Sequence, residues 1–177
     1  MNKTTPPKPL VNIADIDLPP SPTAYAATVD AAARYDARMG EIAPHRGARL
    51  LGYNITAVMP GMRAFPKHNH RVNEEMFFAL EGTAELHVGD QRHPARAGDV
   101  IACPPGGSDT AHQLVNTGQF GLKYLAVSTR LLPEVCEYPD SAKFVVSVYN
   151  EADAGRQPWL FRHVGRAGDA RDYWKGE

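Results

Sequence analysis

The sequence has few cysteines, which limits how covalent bonds can stabilise it. Cys103 and Cys136 are the two cysteines among 177 residues, and they do not form a Cys-x-x-Cys pair. Two isolated cysteines do not make the disulfide framework that stabilises small secreted proteins. We expect both to be reduced thiols, with Cys103 buried at the end of an apolar strand.

Long apolar runs and an excess of charge of one sign are also absent. No stretch approaches the roughly 20 apolar residues of a transmembrane helix, and residues 1–10 have no apolar core of signal-peptide length. The 19 basic and 20 acidic residues give a net charge of -1. So balanced a chain has no general electrostatic attraction for nucleic acid or for an anionic membrane. We therefore expect a cytoplasmic protein that binds neither.

Glycine and proline, in contrast, are abundant, with fifteen of each beside 43% apolar residues. This composition favours one compact domain of short strands and turns over a helical bundle. We expect a proline-rich N-terminal arm (1–20), a peripheral helix with its connection (21–48), a barrel (49–150) and a solvated C-terminal tail (151–177). The helix would begin with Ser21 as its cap and Pro22 in its first turn, and would end at Gly40.

Short apolar runs separated by turns begin near residue 49 and predict an all-β fold. The predicted strands are 50–58, 65–70, 75–80, 83–88, 91–94, 99–103, 111–116 and 122–128, and residues 144–149 would add a ninth. Eight strands of this length are typical of an antiparallel jelly roll or barrel.

The predicted strand at 75–80 is apolar on both faces. Met76, Phe78 and Leu80 lie on one face, while Phe77 and Ala79 lie on the other. A strand with one face in water normally alternates with polar residues. The outer face therefore needs a cover, which the arm, the helix or another subunit would supply. We expect a homodimer, and an arm of this composition is able to pack on the partner subunit.

The most informative pattern consists of His68, His70, Glu75 and His112. Residues two apart in a strand point to the same face, so the first two imidazoles converge if residues 65–70 are extended, as Pro66 favours. Glu75 would come from the next strand, and His112 would follow a rigid reversal at residues 104–107. Three imidazoles and a carboxylate form a ligand set for one divalent metal ion. The alternative is four unrelated side chains, against which the surrounding glycines and prolines argue.

Other polar residues near this pattern are weaker candidates for a functional site. Glu74 competes with Glu75, because strict alternation from His70 favours it, but a turn or bulge between the strands resets the phase. We expect Asn116 to bond the backbone of the turn that follows it. The turns at 108–110 and 138–141 are candidates for the mouth of a pocket.

These residues resemble the two conserved motifs of the cupins. Similar to the first motif are Gly61, His68, His70, Glu75 and Gly82, and similar to the second are Gly98, Pro104, Gly106, His112 and Asn116. The spacing to Gly82 favours Glu75 over Glu74. Six residues rather than five separate Gly61 from His68, and the stretch from Gly106 to His112 is three residues longer than the usual pattern. The resemblance covers residues 50–129 and implies a small antiparallel barrel with the metal inside, bound by His68, His70, Glu75 and His112.

The resemblance does not imply one reaction. Cupins include dioxygenases, isomerases, decarboxylases, metal-free epimerases, storage proteins and regulators. Imidazole and carboxylate ligands also suit Fe, Zn, Mn and Ni alike, so the divalent ion is not identified. We expect an enzyme that acts on a small oxygen-bearing organic molecule in a dioxygenase-like or isomerase-like reaction. The alternative is a non-catalytic cupin that binds a small-molecule ligand as a sensor.

Overall fold

Strands dominate the computed structural model, which describes residues 8–21, 26–149 and 159–177. The strands of this part of the chain are β1 (Ala37–Glu41), β2 (Leu51–Val58), β3 (Asn69–His70), β4 (Glu75–Glu81), β5 (Thr83–Val88), β6 (Gln91–Arg96), β7 (Val100–Cys103), β8 (His112–Val115), β9 (Leu122–Thr129), β10 (Glu134–Tyr138), β11 (Lys143–Tyr149) and β12 (Trp159–Arg166). Its α-helix, α1, is Val29–Ala32. Single 3-10 turns lie at Ile13–Asp15, Ala43–Arg46, Ser108–Thr110, Pro139–Ser141 and Ala167–Asp169.

The strands form three antiparallel sheets, in the orders β1-β2-β9-β4-β7, β12-β11-β10-β3 and β6-β5-β8. Alternate residues of β4 face the interior, so Phe77 and Ala79 are buried there beside Tyr124 and Leu122 of β9. The predicted antiparallel jelly-roll barrel is therefore confirmed.

Gly82 allows the tight connection between β4 and β5. Its φ of +86° lies in the left-handed region, and an added Cβ would stand 2.6 Å from the carbonyl oxygen of Gly121. Only glycine fits both conditions. This turn brings β5 alongside β8, where Val88 lies opposite His112.

The predicted helix over residues 21–39 is wrong in its extent. The observed α1 has four residues, and Ala37 to Met39 belong to β1. Alanine has the highest helix propensity, but tertiary pairing routinely overrides propensity. Here β1 pairs with β2 along its whole length, from Ala37 opposite Val58 to Glu41 opposite Asn54. The predicted first turn at Pro22 lies outside the described residues.

The predicted solvated tail is also wrong in part, because β12 extends the sheet beyond β11. Val145 lies opposite Val164 in this pairing, and Phe144 lies opposite Gly165. The strands β1 and β10 were not predicted either. Residues 1–7 of the arm and 150–158 at the start of the tail lie outside the described residues.

The described part of the arm packs on its own sheet, which is one of the covers that we expected for the outer face. The Met39 N–H donates to the Pro19 carbonyl oxygen at 2.9 Å, and the Ser21 N–H donates to that of Ala37 at 3.0 Å. At Gly40, the space of a Cβ is taken by the side chain of Ile16, 2.3 Å away. The arm therefore covers the β1–β2 end of the outer sheet face.

The rest of that outer face remains apolar and less covered. Met76, Phe78 and Leu80 are only partly buried, and Val100 is 68% exposed. No helix in the described parts of the chain is long and apolar enough to span a membrane.

Candidate metal centre

Three imidazoles meet at one carboxylate oxygen inside the barrel. The distances from Glu75 Oε2 to Nε2 are 3.1 Å for His112, 3.4 Å for His70 and 3.7 Å for His68. All four side chains are at least four-fifths buried. The structure thus brings together the four residues that the sequence singled out as metal ligands.

Backbone pairing sets the positions of these side chains. The backbones of His68 and His112 exchange two hydrogen bonds. The His68 N–H donates to the His112 carbonyl oxygen (N to O, 3.1 Å), and the His112 N–H donates to that of His68 (2.7 Å). His70 lies opposite Cys136 in the β3–β10 pairing. Glu75 is the first residue of β4 and lies opposite Cys103 of β7. The site therefore lies where strands of all three sheets meet.

The other ring nitrogens are directed at backbone oxygens. His68 Nδ1 lies 2.8 Å from the Pro66 carbonyl oxygen, and His112 Nδ1 lies 3.3 Å from that of Thr110. A carbonyl only accepts, so Nδ1 donates, and a neutral ring then carries its lone pair at Nε2. Both lone pairs point at the Glu75 carboxylate. Such an arrangement requires a shared cation, either protons or a metal ion.

His70 is held differently. Its Nδ1 lies 3.6 Å from Glu134 Oε1. Both ring nitrogens of His70 and this oxygen are buried without a hydrogen-bond partner among the residues that the structure describes. Buried polar atoms without a partner are uncommon in folded proteins, and a bound ion is one way in which they are satisfied. The donor set therefore fits a divalent metal.

The charges of the cluster reinforce one another. Burial opposes ionisation of Glu75, yet its interactions with the His112, His68 and His70 rings outweigh burial and hold its pKa well below the usual range. Burial also acts to lower the pKa of His70, but the nearby carboxylates of Glu134 and Glu75 raise it to about 9. For His112 burial prevails, and its pKa is lowered.

Glu134, which our sequence analysis missed, is held in place by hydrogen bonds from Asn73. The Asn73 N–H donates to Glu134 Oε2 at 3.1 Å, and its side-chain amide bonds the same oxygen. Asn73 also accepts from the Leu131 N–H at 2.6 Å and from the Thr129 hydroxyl at 2.9 Å. Each buried group left unpaired by loss of Asn73 would cost about 1–3 kcal/mol. The network fixes the carboxylate that faces His70.

Three inward side chains of β10 form a second side of the site, which we call the β10 wall (Glu134, Cys136 and Tyr138). One ligand atom each from His68, His70 and Cys136 lie within 4.8 Å of one another. Burial raises the pKa of the Cys136 thiol to about 12, so without a bound metal it is protonated. The Tyr138 ring stands 6.1 Å from that of His68, centre to centre.

A small cavity of about 20 Å³, open to solvent, lies beside this cluster. His68 and His112 supply its polar end, and the apolar wall includes Phe65, Phe77 and Leu114. A cavity of this volume has room for roughly one water molecule.

The other residues that the sequence analysis considered are not among the four converging side chains. Glu74 is exposed and held at its backbone by Thr129. Asn116 accepts from the Gly118 N–H at 3.0 Å and donates to the Val58 and Phe120 carbonyl oxygens, so it bonds the backbone as predicted. The Ser108–Thr110 turn contributes a carbonyl to His112.

Sequence reasoning missed Glu134 and Cys136 of the β10 wall because no histidine marks this strand. Tyr138 belongs to the turn at 138–141 that was a candidate for the mouth of a pocket, and its ring lies near His68. The alternation Glu134, Cys136, Tyr138 over five residues is a strand pattern with period two. That alternation was the available signal. It does not reveal that β10 pairs with β3, which is distant in sequence.

Comparison with known proteins agrees with this fold. A family model for the cupin domain matches residues 54–128. Among curated proteins, the uncharacterized protein MJ1618 of Methanocaldococcus jannaschii is 33% identical over 61 residues, which are 34% of this chain. The match covers 46% of that relative, less than half of its length.

Solved structures with the same fold align with this chain beyond residues 54–128. A sugar phosphate isomerase from a cupin superfamily, from Silicibacter pomeroyi, aligns over 92% of this chain and 95% of its own, with a TM-score of 0.72 and 24% identity. A predicted oxalate decarboxylase from Thermotoga maritima aligns over 69% of this chain and 99% of its own, with a TM-score of 0.55 and 21% identity. At these identities the likeness establishes the fold alone. With both motifs inside the matched segment and the barrel around them, residues 54–128 of this chain form a cupin domain.

Proposed function

We propose that the protein binds one divalent metal ion through His68, His70, Glu75 and His112. The observation that carries the proposal is the convergence of three Nε2 atoms on Glu75 Oε2, two of them on rings whose Nδ1 faces a backbone carbonyl. Lone pairs and a carboxylate held together in this way are stabilised by a cation. Zn, Fe, Mn and Ni all accept such ligands.

We further propose that the site is enzymatic and acts on a small oxygen-bearing organic molecule. A divalent ion supplies Lewis acidity toward a carbonyl oxygen, or oxygen chemistry when it is redox-active iron. The chain's own residues do the rest. The apolar wall at Phe65, Phe77 and Leu114 limits substrate size, while Tyr138 stands beside His68 as a hydroxyl group near the site.

Two reaction classes fit this arrangement. The structural neighbour from Silicibacter pomeroyi is a sugar phosphate isomerase, which directs attention to isomerisation of a hydroxy-carbonyl compound. The imidazole-rich ligand set equally suits iron and a dioxygenase-like reaction.

Measurements on protein loaded separately with Fe(II), Zn(II) and Mn(II) separate these classes. The test compounds are small carboxylates, diketones, catechols and sugar phosphates, with thermal shift and oxygen uptake as readouts. Metal-dependent stabilisation with oxygen consumption only in the iron form indicates a dioxygenase. Metal-dependent stabilisation with isomerisation and no oxygen uptake indicates a Lewis-acid enzyme. Stabilisation without turnover indicates the sensor alternative, and equal stabilisation of metal-free protein contradicts both enzymatic proposals.

We also propose that the chain forms a homodimer through the outer face of β4. The arm covers only the β1–β2 end of that face, and the partly buried Met76, Phe78 and Leu80 need a second cover. Sedimentation at micromolar concentration should give a dimer, which Phe78→Lys dissociates. Phe120→Lys, at an 80% exposed loop position, is the matched control and should leave the dimer intact. A monomeric wild-type protein would refute this assembly.

A further inference from the structure

Two groups of ligand atoms overlap in the barrel. His68, Glu75 and His112 form one group, and His68, His70 and Cys136 form the other; within each, the ligand atoms lie within 4.8 Å of one another. His68 belongs to both. The first group has nitrogen and oxygen ligands, whereas the second replaces the oxygen with sulfur.

The backbone directs Cys136 toward the cluster. It lies opposite His70 in the β3–β10 pairing, and residues directly opposite in antiparallel strands place their side chains on the same face. Its neighbours on that face agree, because Glu134 reaches His70 Nδ1 and Tyr138 lies beside His68. Glu137, on the other face, bonds Asn69 and Arg71 instead. Cys136 itself is 9% exposed.

We propose that Cys136 is a ligand for thiophilic divalent ions, which the protein binds with His68, His70 and Cys136, while oxygen-preferring ions use His68, Glu75 and His112. This inference rests on the proposed metal centre and adds a second ligand set to it. One pocket then offers two donor sets, and the softness of the ion selects between them.

Ligand chemistry supports this division. Thiolates select soft and borderline ions such as Zn(II) and Co(II), whereas carboxylates suit Mn(II). Zinc readily forms tetrahedral sites with mixed cysteine and histidine ligands. The orphaned ring nitrogens of His70 are available to either set. The number of open positions at the ion therefore depends on which metal the protein acquires.

Cobalt(II) is the probe that tests the proposal, since a cobalt–thiolate bond gives a charge-transfer band in the near ultraviolet. We expect this band in wild-type protein. Cys136→Ser and Cys136→Ala should both lose it, and Cys103→Ser should retain it. Zn(II) affinity, measured by chelator competition, should fall roughly tenfold or more in Cys136→Ser, while Mn(II) affinity stays within about twofold.

The outcomes are separable from those of the proposed function. Cobalt and manganese bound without a thiolate band would overturn the role of Cys136 and leave the four-ligand centre standing. Failure of every ion to bind would overturn both. A band lost in Cys103→Ser but kept in Cys136→Ser would also refute the proposal. If the Cys136 variants do not fold, the band retained by Cys103→Ser still assigns the ligand, because the chain has only two cysteines.

Discussion

The two sides of the candidate site differ in how they are built. The motif wall (His68, Glu75 and His112) consists of residues whose type and spacing already suggest metal ligation. The β10 wall supplies a carboxylate, a thiol and a phenol on a strand that carries no motif. His70 touches both, since its Nε2 lies 3.4 Å from Glu75 and its Nδ1 lies 3.6 Å from Glu134. We infer that the motif wall creates metal affinity and that the β10 wall adjusts it.

Removing two residues of the motif wall should have the largest effect. His68→Ala combined with His112→Ala takes away two of four ligands, so elemental analysis should fall from about one divalent ion per chain to none. His87→Ala with His93→Ala is the matched control, because His87 bonds Glu85 outside the site. A folded double variant with full metal content would show that the site is elsewhere.

Substitution of the adjacent Glu74 and Glu75 tests which carboxylate of the motif wall binds the metal. Glu75→Gln should lower metal affinity far more than Glu74→Gln, since the Glu75 oxygen meets three imidazoles and Glu74 is exposed. The loss should exceed the roughly 10–100-fold that outer-shell partners contribute. Chelator competition on both variants measures it. The reverse order would transfer the ligand role to Glu74.

Glu134→Gln tests whether the β10 wall adjusts affinity. Glu134 orients His70 without being a ligand, so metal binding should weaken by about 10–100-fold while about one ion per chain still binds at saturation. Glu85→Gln is a matched control, because it alters another glutamate–histidine pair, at 2.7 Å from His87, away from the site. Equal affinities of the two variants would leave Glu134 with a structural role only.

The smallest expected effect concerns pH. The pKa of His70 is raised to about 9 in the metal-free protein, so below that pH a proton must leave before this ring can bind metal. Affinity should therefore still increase at alkaline pH, by about fivefold between pH 8 and 9. An ordinary imidazole, with a pKa near 6.5, would give a flat profile over this range. Competition titrations at both pH values measure the difference.

The sequence was sufficient for the barrel and for the motif wall. Period-two apolar runs predicted β2, β4, β5 and β9 to within one residue at either end. Glu75 was distinguished from Glu74, although strict alternation favoured the latter, and the structure points Glu75 inward. Local spacing carries this information because each choice depends on neighbours in the chain.

What the sequence did not reveal depends on contacts between distant residues. Ala37 to Met39 continue an alanine-rich run, yet pairing with β2 makes them a strand. Glu134 is an ordinary strand residue until β10 lies beside β3. Such roles arise from tertiary pairing, which periodicity does not encode.

The exchanged backbone hydrogen bonds between His68 and His112 have a thermodynamic consequence. They fix the separation of two ligands before any ion arrives, so little conformational entropy remains to be lost from that pair on capture. His70 is positioned by its side chain instead, between Glu75 at 3.4 Å and Glu134 at 3.6 Å, so more of the ordering on binding falls on its ring. Calorimetry should therefore show only a small entropic penalty for ordering this pair in the wild-type protein.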